Sequence, residues 1–250
     1  MEKIWIPNNY ESSNLFHFEK FIEKKYHLSF SNYIELHEWS IKNLESFWES
    51  ISEFYKILFD KPYEFILNRQ IPFYKSKWFE GAKLSYVGHI IRHAKKNHTA
   101  IIYKNESNDI VEISWNSLLE KVKEVRGWLI ENNVKKGDVV VGYLLNHPDT
   151  IASFMAVNSL GAVWSCCSPD FGIESIANRF EQLKPGILLA HKRYSYNGKD
   201  YIQEKKIKEL QIRLPSIKKT IVFDSTFDSW NLNSNYWIDF EFVSVKFDHP

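Results

Sequence analysis

The residue types best suited to chemistry lie in one stretch, residues 160–172, with the sequence LGAVWSCCSPDFG. It holds both cysteines of the chain, Cys166 and Cys167. Zinc-binding cysteines are usually two to four residues apart and redox pairs have the spacing Cys-x-x-Cys, so adjacent cysteines fit neither kind of site. We therefore predict that the two thiols end a strand, one on each face, and pack as small apolar groups.

The turn after the cysteines, residues 168–172, is the stronger candidate for a ligand site. It follows a predicted parallel strand and leads into a helix near Glu174. Open parallel sheets bind ligands in the crevice outside the carboxyl ends of their strands, and the amides at a helix start suit an anionic group. The residues alone leave two interpretations open, a ligand-binding wall and a purely structural turn.

Three histidines, His89, His93 and His98, lie close together in the sequence. His89 and His93 are four residues apart, but a zinc protease requires a glutamate between them in the pattern His-Glu-x-x-His. The intervening residues are Ile90, Ile91 and Arg92. We expect surface or packing roles for these histidines and predict no metal site in the chain.

The sequence Asn197-Gly198-Lys199 contains a Gly-Lys pair, which raises the question of a phosphate loop. Arg193 stands where such a loop requires its first glycine, and Asp200 follows the lysine where a serine or threonine is required. The chain has only 9 glycines, and neither Gly-x-Gly-x-x-Gly nor Gly-x-Ser-x-Gly occurs in it. Hence we predict no catalytic residue here and no loop that could hold a nucleoside triphosphate.

The composition is that of a globular protein that does not bind nucleic acid. The formal net charge is +1, and the sequence lacks the clustered basic residues that would indicate nucleic-acid binding. Two cysteines make no disulfide framework, so we expect a reducing compartment and a cytoplasmic location. Residues 150–169 carry no charge, but Gly161 and several serines interrupt the run, so we predict a buried helix followed by a strand, and no membrane span.

The elements that would position these residues form an alternating pattern. An aromatic, helical segment comes first, with apolar residues from Ile41 to Leu58 at helical spacing after a capping Ser40. Beyond residue 100, short apolar runs alternate with amphipathic ones, and this alternation predicts a mostly parallel sheet with crossover helices. We predict an α/β protein with a helical segment over residues 1–90 and an α/β portion over residues 91–250.

Several motifs together resemble the acetoacetyl-CoA synthetases, a family of the adenylate-forming acyl-CoA synthetase superfamily. The similar stretches are IWIP at residues 4–7, YIELHEWS at 33–40, FW at 47–48, WFEGAKL at 78–84, KGD at 136–138, residues 160–172, YNGK at 196–199 and FDHP at 247–250. Residues 84–89, LSYVGH, depart from the family pattern. The resemblance implies that the chain is the first part of the large, AMP-binding domain of such an enzyme.

The resemblance also implies a reaction in two steps. ATP and acetoacetate form acetoacetyl-adenylate and pyrophosphate, and coenzyme A then takes the acyl group and releases AMP. Mg²⁺ is expected because the phosphate charge of ATP must be neutralised. In the family, the phosphate loop and the catalytic lysine come after the segment that matches residues 247–250. We therefore expect the 250-residue chain to be an N-terminal fragment that is inactive alone and lacks both the remainder of the large domain and the small C-terminal domain.

Two groups of residues are implied as contacts of coenzyme A. The turn that matches Ser168, Asp170 and Phe171 lies along the coenzyme A tunnel of related enzymes. The segment that matches Asn197 and Lys199 lies near the nucleotide end, where a lysine suits phosphate as a point charge. Two alternatives stay open: a ligase for another short-chain acid, and a non-catalytic α/β module. The acyl acid and the oligomeric state do not follow from the sequence.

Overall fold

The structure is a computed structural model that describes residues 8–106, 110–224 and 241–250. The chain divides into two compact units. The first comprises the residues up to Lys83 together with Lys246–Asp248, and the second comprises Leu84–Val245 together with His249–Pro250. The domain limits predicted from the sequence, 1–90 and 91–250, stay predictions.

The first unit consists of helices followed by a short hairpin. Phe18, Ile22 and Leu36 form its buried core, and the ring of Phe18 packs edge-on against Phe47 and Phe54 at centroid distances of 5.9 and 5.2 Å. This is the geometry that aromatic quadrupoles favour. The elements are α1 (Asn14–Tyr26), α2 (Tyr33–Lys42), α3 (Leu44–Phe54), β1 (Phe65–Asn68) and β2 (Lys77–Glu80).

One helix predicted for this unit is wrong. Ser40 does not begin a helix that runs to Leu58; it lies inside α2, where its hydroxyl donates to the carbonyl of His37. The break falls at Asn43, whose backbone is not helical and whose side-chain amide donates to the carbonyl of Trp39 at 3.0 Å. Asparagine competes in this way with the helical hydrogen bonds of the backbone, and the apolar spacing gives no sign of it.

The second unit is a layered α/β structure, as predicted. Strand β3 (Lys83–Leu84) includes the last residue of the first unit and the first residue of the second. After α4 (Tyr86–Ile91) and an antiparallel pair, the chain alternates strands and helices around a four-stranded sheet. The elements are β4 (Thr99–Lys104), β5 (Ile110–Ser114), α5 (Trp115–Glu131), β6 (Val139–Tyr143), α6 (Pro148–Ser159), β7 (Val163–Cys167), α7 (Ile173–Glu181), β8 (Ile187–His191), β9 (Arg193–Tyr196), β10 (Lys199–Ile202), α8 (Glu204–Arg213), β11 (Lys219–Phe223) and β12 (Val245–Lys246).

The sheet is parallel, with the order β11-β8-β6-β7. Helices cover both of its faces: α5 and α6 lie over the side to which Val140 and Leu189 point, and α7 and α8 cover the side of Val141 and Leu188. Strand β8 is buried along its whole length, since both faces are covered. Strand β7 differs, because it lies at the edge of the described sheet and is only half-buried.

Residues 150–169 form part of α6 and then β7, as the interrupted apolar run predicted. Within the part of the chain that the structure describes, no helix is long and apolar enough to cross a membrane. Pro148 occupies the first turn of α6, where a missing amide proton costs nothing. Gly161 follows the end of α6 and has a positive φ of 66°, which a residue with a Cβ atom rarely adopts.

A substitution at Gly142 tests the packing of the central strand. A Cβ atom there would lie 2.8 Å from Leu144 and 2.9 Å from Trp164, so we expect Gly142→Ala to lower the free energy of unfolding by about 1–3 kcal/mol. The matched control is Gly127→Ala in α5, where a Cβ atom has nothing within 4 Å and should stabilise the helix by about 0.5–1 kcal/mol. Urea denaturation measures both, and equal effects would contradict the packing described.

Candidate functional site

The predicted turn leaves the sheet at the carboxyl end of β7. The amide of Phe171 donates to the carbonyl of Ser168 at 3.3 Å and closes the turn, and α7 begins directly after Gly172. Ser168, Asp170 and Phe171 are exposed, whereas Pro169 between them is buried. The turn thus presents three side chains to solvent and is anchored by its proline.

A buried hydroxyl holds this turn in place. Tyr143, the last residue of β6, has no exposed surface, and its Oη atom donates to the carbonyl of Pro169 at 3.0 Å and to Oε1 of Gln203 at 2.9 Å. The two oxygens share the single hydroxyl proton. Burial raises the pKa of Tyr143, so the hydroxyl remains protonated as a donor at neutral pH.

The same hydroxyl connects the two segments that the sequence singled out. Gln203 follows directly on the hairpin of β9 and β10, which carries Asn197 and Lys199 at its tip. The structure therefore joins the turn and the hairpin at the hairpin base. Within the described residues, neither Asn197 nor Lys199 has a hydrogen bond or ion pair with the turn itself.

The hairpin tip already holds an anionic group. Asn197 and Gly198 both have positive φ angles, 52° and 68°, and both amides donate to the carboxylate of Glu106, at 2.9 and 3.3 Å. Consecutive amides that converge in this way form an anion-binding concavity. Lys199 is exposed beside it. Sequence reasoning did not predict this hairpin, and it missed Glu106.

Arg179 is a second residue that sequence reasoning missed. It lies in α7, and its guanidinium group lies 4.8 Å from the ring centroid of Phe171. A cation over an aromatic face at an exposed site contributes about 0.5–1 kcal/mol. The contact fixes Phe171 against the helix and places a positive charge beside the turn. Phe171 lies in the turn and Arg179 in the helix after it, so no regular helical or strand spacing relates them. The contact therefore becomes visible only in the folded structure.

The cysteines end β7 as predicted, but only Cys167 packs as a small apolar group. Both lie at the end of β7 and are free thiols, with Cys166 exposed and Cys167 buried. Burial raises the pKa of Cys167, and the nearby Arg179 opposes that shift only in part. A protonated, buried thiol is a poor nucleophile.

The clustered histidines do not converge. His89 lies in α4, whereas His93 lies beyond the end of that helix and is exposed, as is His98. That these residues have surface or packing roles stays a prediction.

Comparison with known proteins identifies the family. The profile of the family described as AMP-binding enzyme matches residues 91–243, and that of the acetyl-coenzyme A synthetase N-terminus matches residues 33–89. The first match covers more than half of the chain.

The chain belongs to the AMP-binding enzyme family.

Relatives and a solved structure agree with the resemblance drawn from the motifs. Acetoacetyl-CoA synthetase of Macaca fascicularis is 28% identical over 99% of this chain and 40% of its own length. Malonamoyl-CoA synthetase of Penicillium aethiopicum is 26% identical over 88% of this chain and 31% of its own length. The solved acetoacetyl-CoA synthetase of Streptomyces lividans superposes with a TM-score of 0.85 at 29% identity, covering 96% of this chain and 38% of that one.

The chain therefore spans about two fifths of the length of the acetoacetyl-CoA synthetases it matches. The fold class predicted from the sequence, the first part of the large domain of an adenylate-forming enzyme, is confirmed by the solved structure. The motif at residues 4–7 lies outside the described residues.

Replacing the buried hydroxyl tests whether it anchors the turn. Tyr143→Phe leaves the carbonyl of Pro169 without its donor, so we expect a loss of about 1–3 kcal/mol in unfolding free energy and faster hydrogen exchange of the amides in residues 168–172. Tyr196→Phe removes an exposed hydroxyl and serves as the control. Unchanged exchange in the turn of Tyr143→Phe would show that the hydroxyl does not anchor it.

Proposed function

We propose that this chain is the first part of an acetoacetate–CoA ligase and supplies one wall of its coenzyme A site. The complete enzyme joins ATP and acetoacetate to acetoacetyl-adenylate with release of pyrophosphate, and transfers the acyl group to the thiol of coenzyme A with release of AMP. The compartment we propose, the cytoplasm, rests on the low cysteine content. The observation that carries the proposal is the exposed turn at residues 168–171, anchored through Tyr143 to the hairpin that bears Lys199.

The residues of this chain suit binding and orientation rather than bond making. Ser168 and Asp170 offer exposed polar groups, and Phe171 offers an aromatic face beside Arg179. Asn197, through its backbone amide, and Lys199, through its ammonium group, would face the phosphates at the nucleotide end of coenzyme A. We assign no catalytic role to any of them.

ATP and Mg²⁺ do not fit the residues of this chain. The sequence contains no phosphate loop of the required spacing, and 9 glycines leave few places for one. We therefore assign neither group to a residue and derive no part of adenylate formation from this chain. The ATP and Mg²⁺ sites that the family requires are proposed to lie in the remainder of the enzyme.

A second acid remains a candidate substrate. One relative is named a malonamoyl-CoA synthetase, and malonamate, like acetoacetate, is a short acid with a carbonyl group at its third carbon. Both acids would use the same coenzyme A wall. The non-catalytic module is the third candidate, and it predicts binding without turnover.

The activity is tested on the product of the longest reading frame that contains this chain. With Mg²⁺, we expect ATP–pyrophosphate exchange that depends on acetoacetate, and AMP formation that further requires coenzyme A. Malonamate and acetate serve as competing acids, and the higher kcat/KM identifies the substrate. The 250-residue chain alone should give no exchange. Absence of exchange with every acid would contradict the ligase and support a non-catalytic module.

The hairpin tip is tested by two substitutions with opposite expected signs. Lys199→Gln should weaken coenzyme A binding about two- to fivefold, the effect of one exposed charge contact. Glu106→Gln should strengthen binding by a similar factor, because its carboxylate competes with phosphate for the amides of Asn197 and Gly198. Lys205→Gln, in α8, is the control, and calorimetry measures all three. Equal changes for Lys199→Gln and Lys205→Gln would refute the assignment.

A further inference from the structure

A buried group of two histidines and an aspartate lies close to the candidate site, and neither the sequence motifs nor the proposed function accounts for it. His147, Asp149 and His191 are 3%, 2% and 1% exposed. Oδ2 of Asp149 lies 3.0 Å from Nδ1 of His147 and 3.4 Å from Nε2 of His191. An ionised group at such depth is stable only when it is paired and hydrogen-bonded.

The group lies where an open sheet would normally leave a crevice. Strands β6 and β8 are neighbours, but the helices that follow them, α6 and α8, cover opposite faces of the sheet. Ligands of open α/β sheets bind at such a switch point. Here His147 and Asp149 follow β6, and His191 ends β8, so their side chains bridge the two strand ends and fill the space between them.

The hydrogen bonds assign the ring protons. The amide of Leu145 donates to Nδ1 of His191 at 3.0 Å, so the neutral ring carries its proton on Nε2, facing Asp149. Nδ1 of His147 lies 3.0 Å from the carboxylate of Asp149, and when this nitrogen carries no proton it instead accepts the backbone amide of Asp149 at 3.2 Å, which caps α6. Donation to the carboxylate is the stronger bond because it is charge-assisted. Asp149 thus accepts a hydrogen bond from each ring.

This arrangement argues against a metal ion, although the three ligand atoms lie within 4.8 Å of one another. A metal-bound histidine donates its second ring N–H to an acceptor. The second nitrogen of His191 instead accepts a backbone N–H, so its Nε2 carries a proton and has no lone pair for a metal.

The surroundings keep Asp149 ionised near neutral pH. Burial alone would raise the pKa of Asp149, but the hydrogen bonds from His147 and His191 outweigh it and lower the pKa below its usual value. Burial lowers the pKa of His191, against the opposing bond to Asp149. Among the described residues, the rings of Tyr103 of β4 and Phe223 of β11 also face the group, and burial raises the pKa of Tyr103, which stays neutral.

Separate hydrogen bonds, linked through the backbone of residues 143–145, connect this group to the turn. Leu145 is held on both sides, by His191 at its amide and by the hydroxyl of Thr150 at its carbonyl, at 2.6 Å. The adjacent Leu144 donates its amide to the carbonyl of Cys167 at 3.2 Å, and Tyr143 donates to Pro169. Residues 143–145 therefore connect the buried group to the last strand residue before the turn and to the turn itself.

We propose that His147, Asp149 and His191 are positioning residues that clamp residues 143–145 and thereby hold the turn at residues 168–171 in the geometry that binds coenzyme A. This inference rests on the proposed function for its effect on coenzyme A. The clamp itself rests only on the contacts described above.

The clamp is tested first by ¹⁵N NMR of histidine-labelled wild-type protein at neutral pH. We expect His191 as the Nε2–H tautomer and His147 with its proton on Nδ1, with both ring protons shifted downfield by the carboxylate. Selective loss of these signals in His147→Gln and His191→Gln assigns them. A His191 protonated on Nδ1, or stoichiometric zinc in the purified protein, would overturn the clamp.

The effect on coenzyme A is tested by two substitutions of one residue. His191→Asn retains an acceptor for Leu145 but removes the donor to Asp149, whereas His191→Gln retains a donor near the position of Nε2. We expect the KM for coenzyme A to rise about tenfold in His191→Asn and clearly less in His191→Gln. In the first variant the buried carboxylate of Asp149 loses a hydrogen-bond donor, which costs more than the loss of an acceptor by the neutral amide of Leu145 in the second. His93→Gln, an exposed histidine, is the control.

The two half-reactions separate this inference from the proposed function. Acetoacetate-dependent ATP–pyrophosphate exchange does not use coenzyme A, so His191→Asn should retain it while its KM for coenzyme A rises. A parallel loss of exchange and of coenzyme A use would indicate general unfolding and overturn the positioning role. If the wild-type protein neither exchanges pyrophosphate nor binds coenzyme A, the proposed function fails, while the NMR result still decides the clamp.

Discussion

The rest of the candidate site depends on the hydrogen bond from Tyr143 to the carbonyl of Pro169. Tyr143 is the last residue of a central strand buried on both faces, so its hydroxyl has no access to water and must find partners within the protein. The partners available are the turn after β7 and the residue after the hairpin. The cost of leaving a buried hydroxyl unpaired thus fixes how two surface segments approach each other.

The two faces of β6 pack against different pairs of helices. Val140 and Leu144 pack beneath α5 and α6, while Val141 and Tyr143 pack beneath α7 and α8. The buried histidines and Asp149 bridge the carboxyl ends of β6 and β8, and the Tyr143 hydroxyl faces Pro169 and Gln203. The crevice at the strand ends is therefore closed by the chain's own polar groups, and the surface that we propose for coenzyme A lies farther out, on the turn and the hairpin.

Much of the fold could be predicted because parallel strands buried on both faces have nearly continuous apolar sequences. The runs at β6 and β8 followed from this rule, whereas β11 has an apolar run although it is only half-buried. The hairpin of β9 and β10 did not, because its exposed strands lack an apolar face and its turn depends on two positive φ angles. The helix assigned to Ser40 failed because Asn43 interrupts an otherwise regular apolar stripe.

The candidate site was predictable only in part, for a similar reason. The turn at Ser168 was found from its place after a strand, a property of the local sequence. Arg179, Glu106 and the pair His147 and His191 could not be found, because each acts through a partner that the fold brings from elsewhere. Pairings of this kind have no fixed spacing, and a single sequence carries no record of them.

The contrast between the adjacent cysteines has a practical consequence. Cys166 is exposed two residues before Ser168, whereas Cys167 is buried and its pKa is raised. A maleimide dye would therefore label this chain at one thiol without any prior mutagenesis. The dye would lie at the rim of the turn, where its fluorescence would report occupancy of the surface in real time.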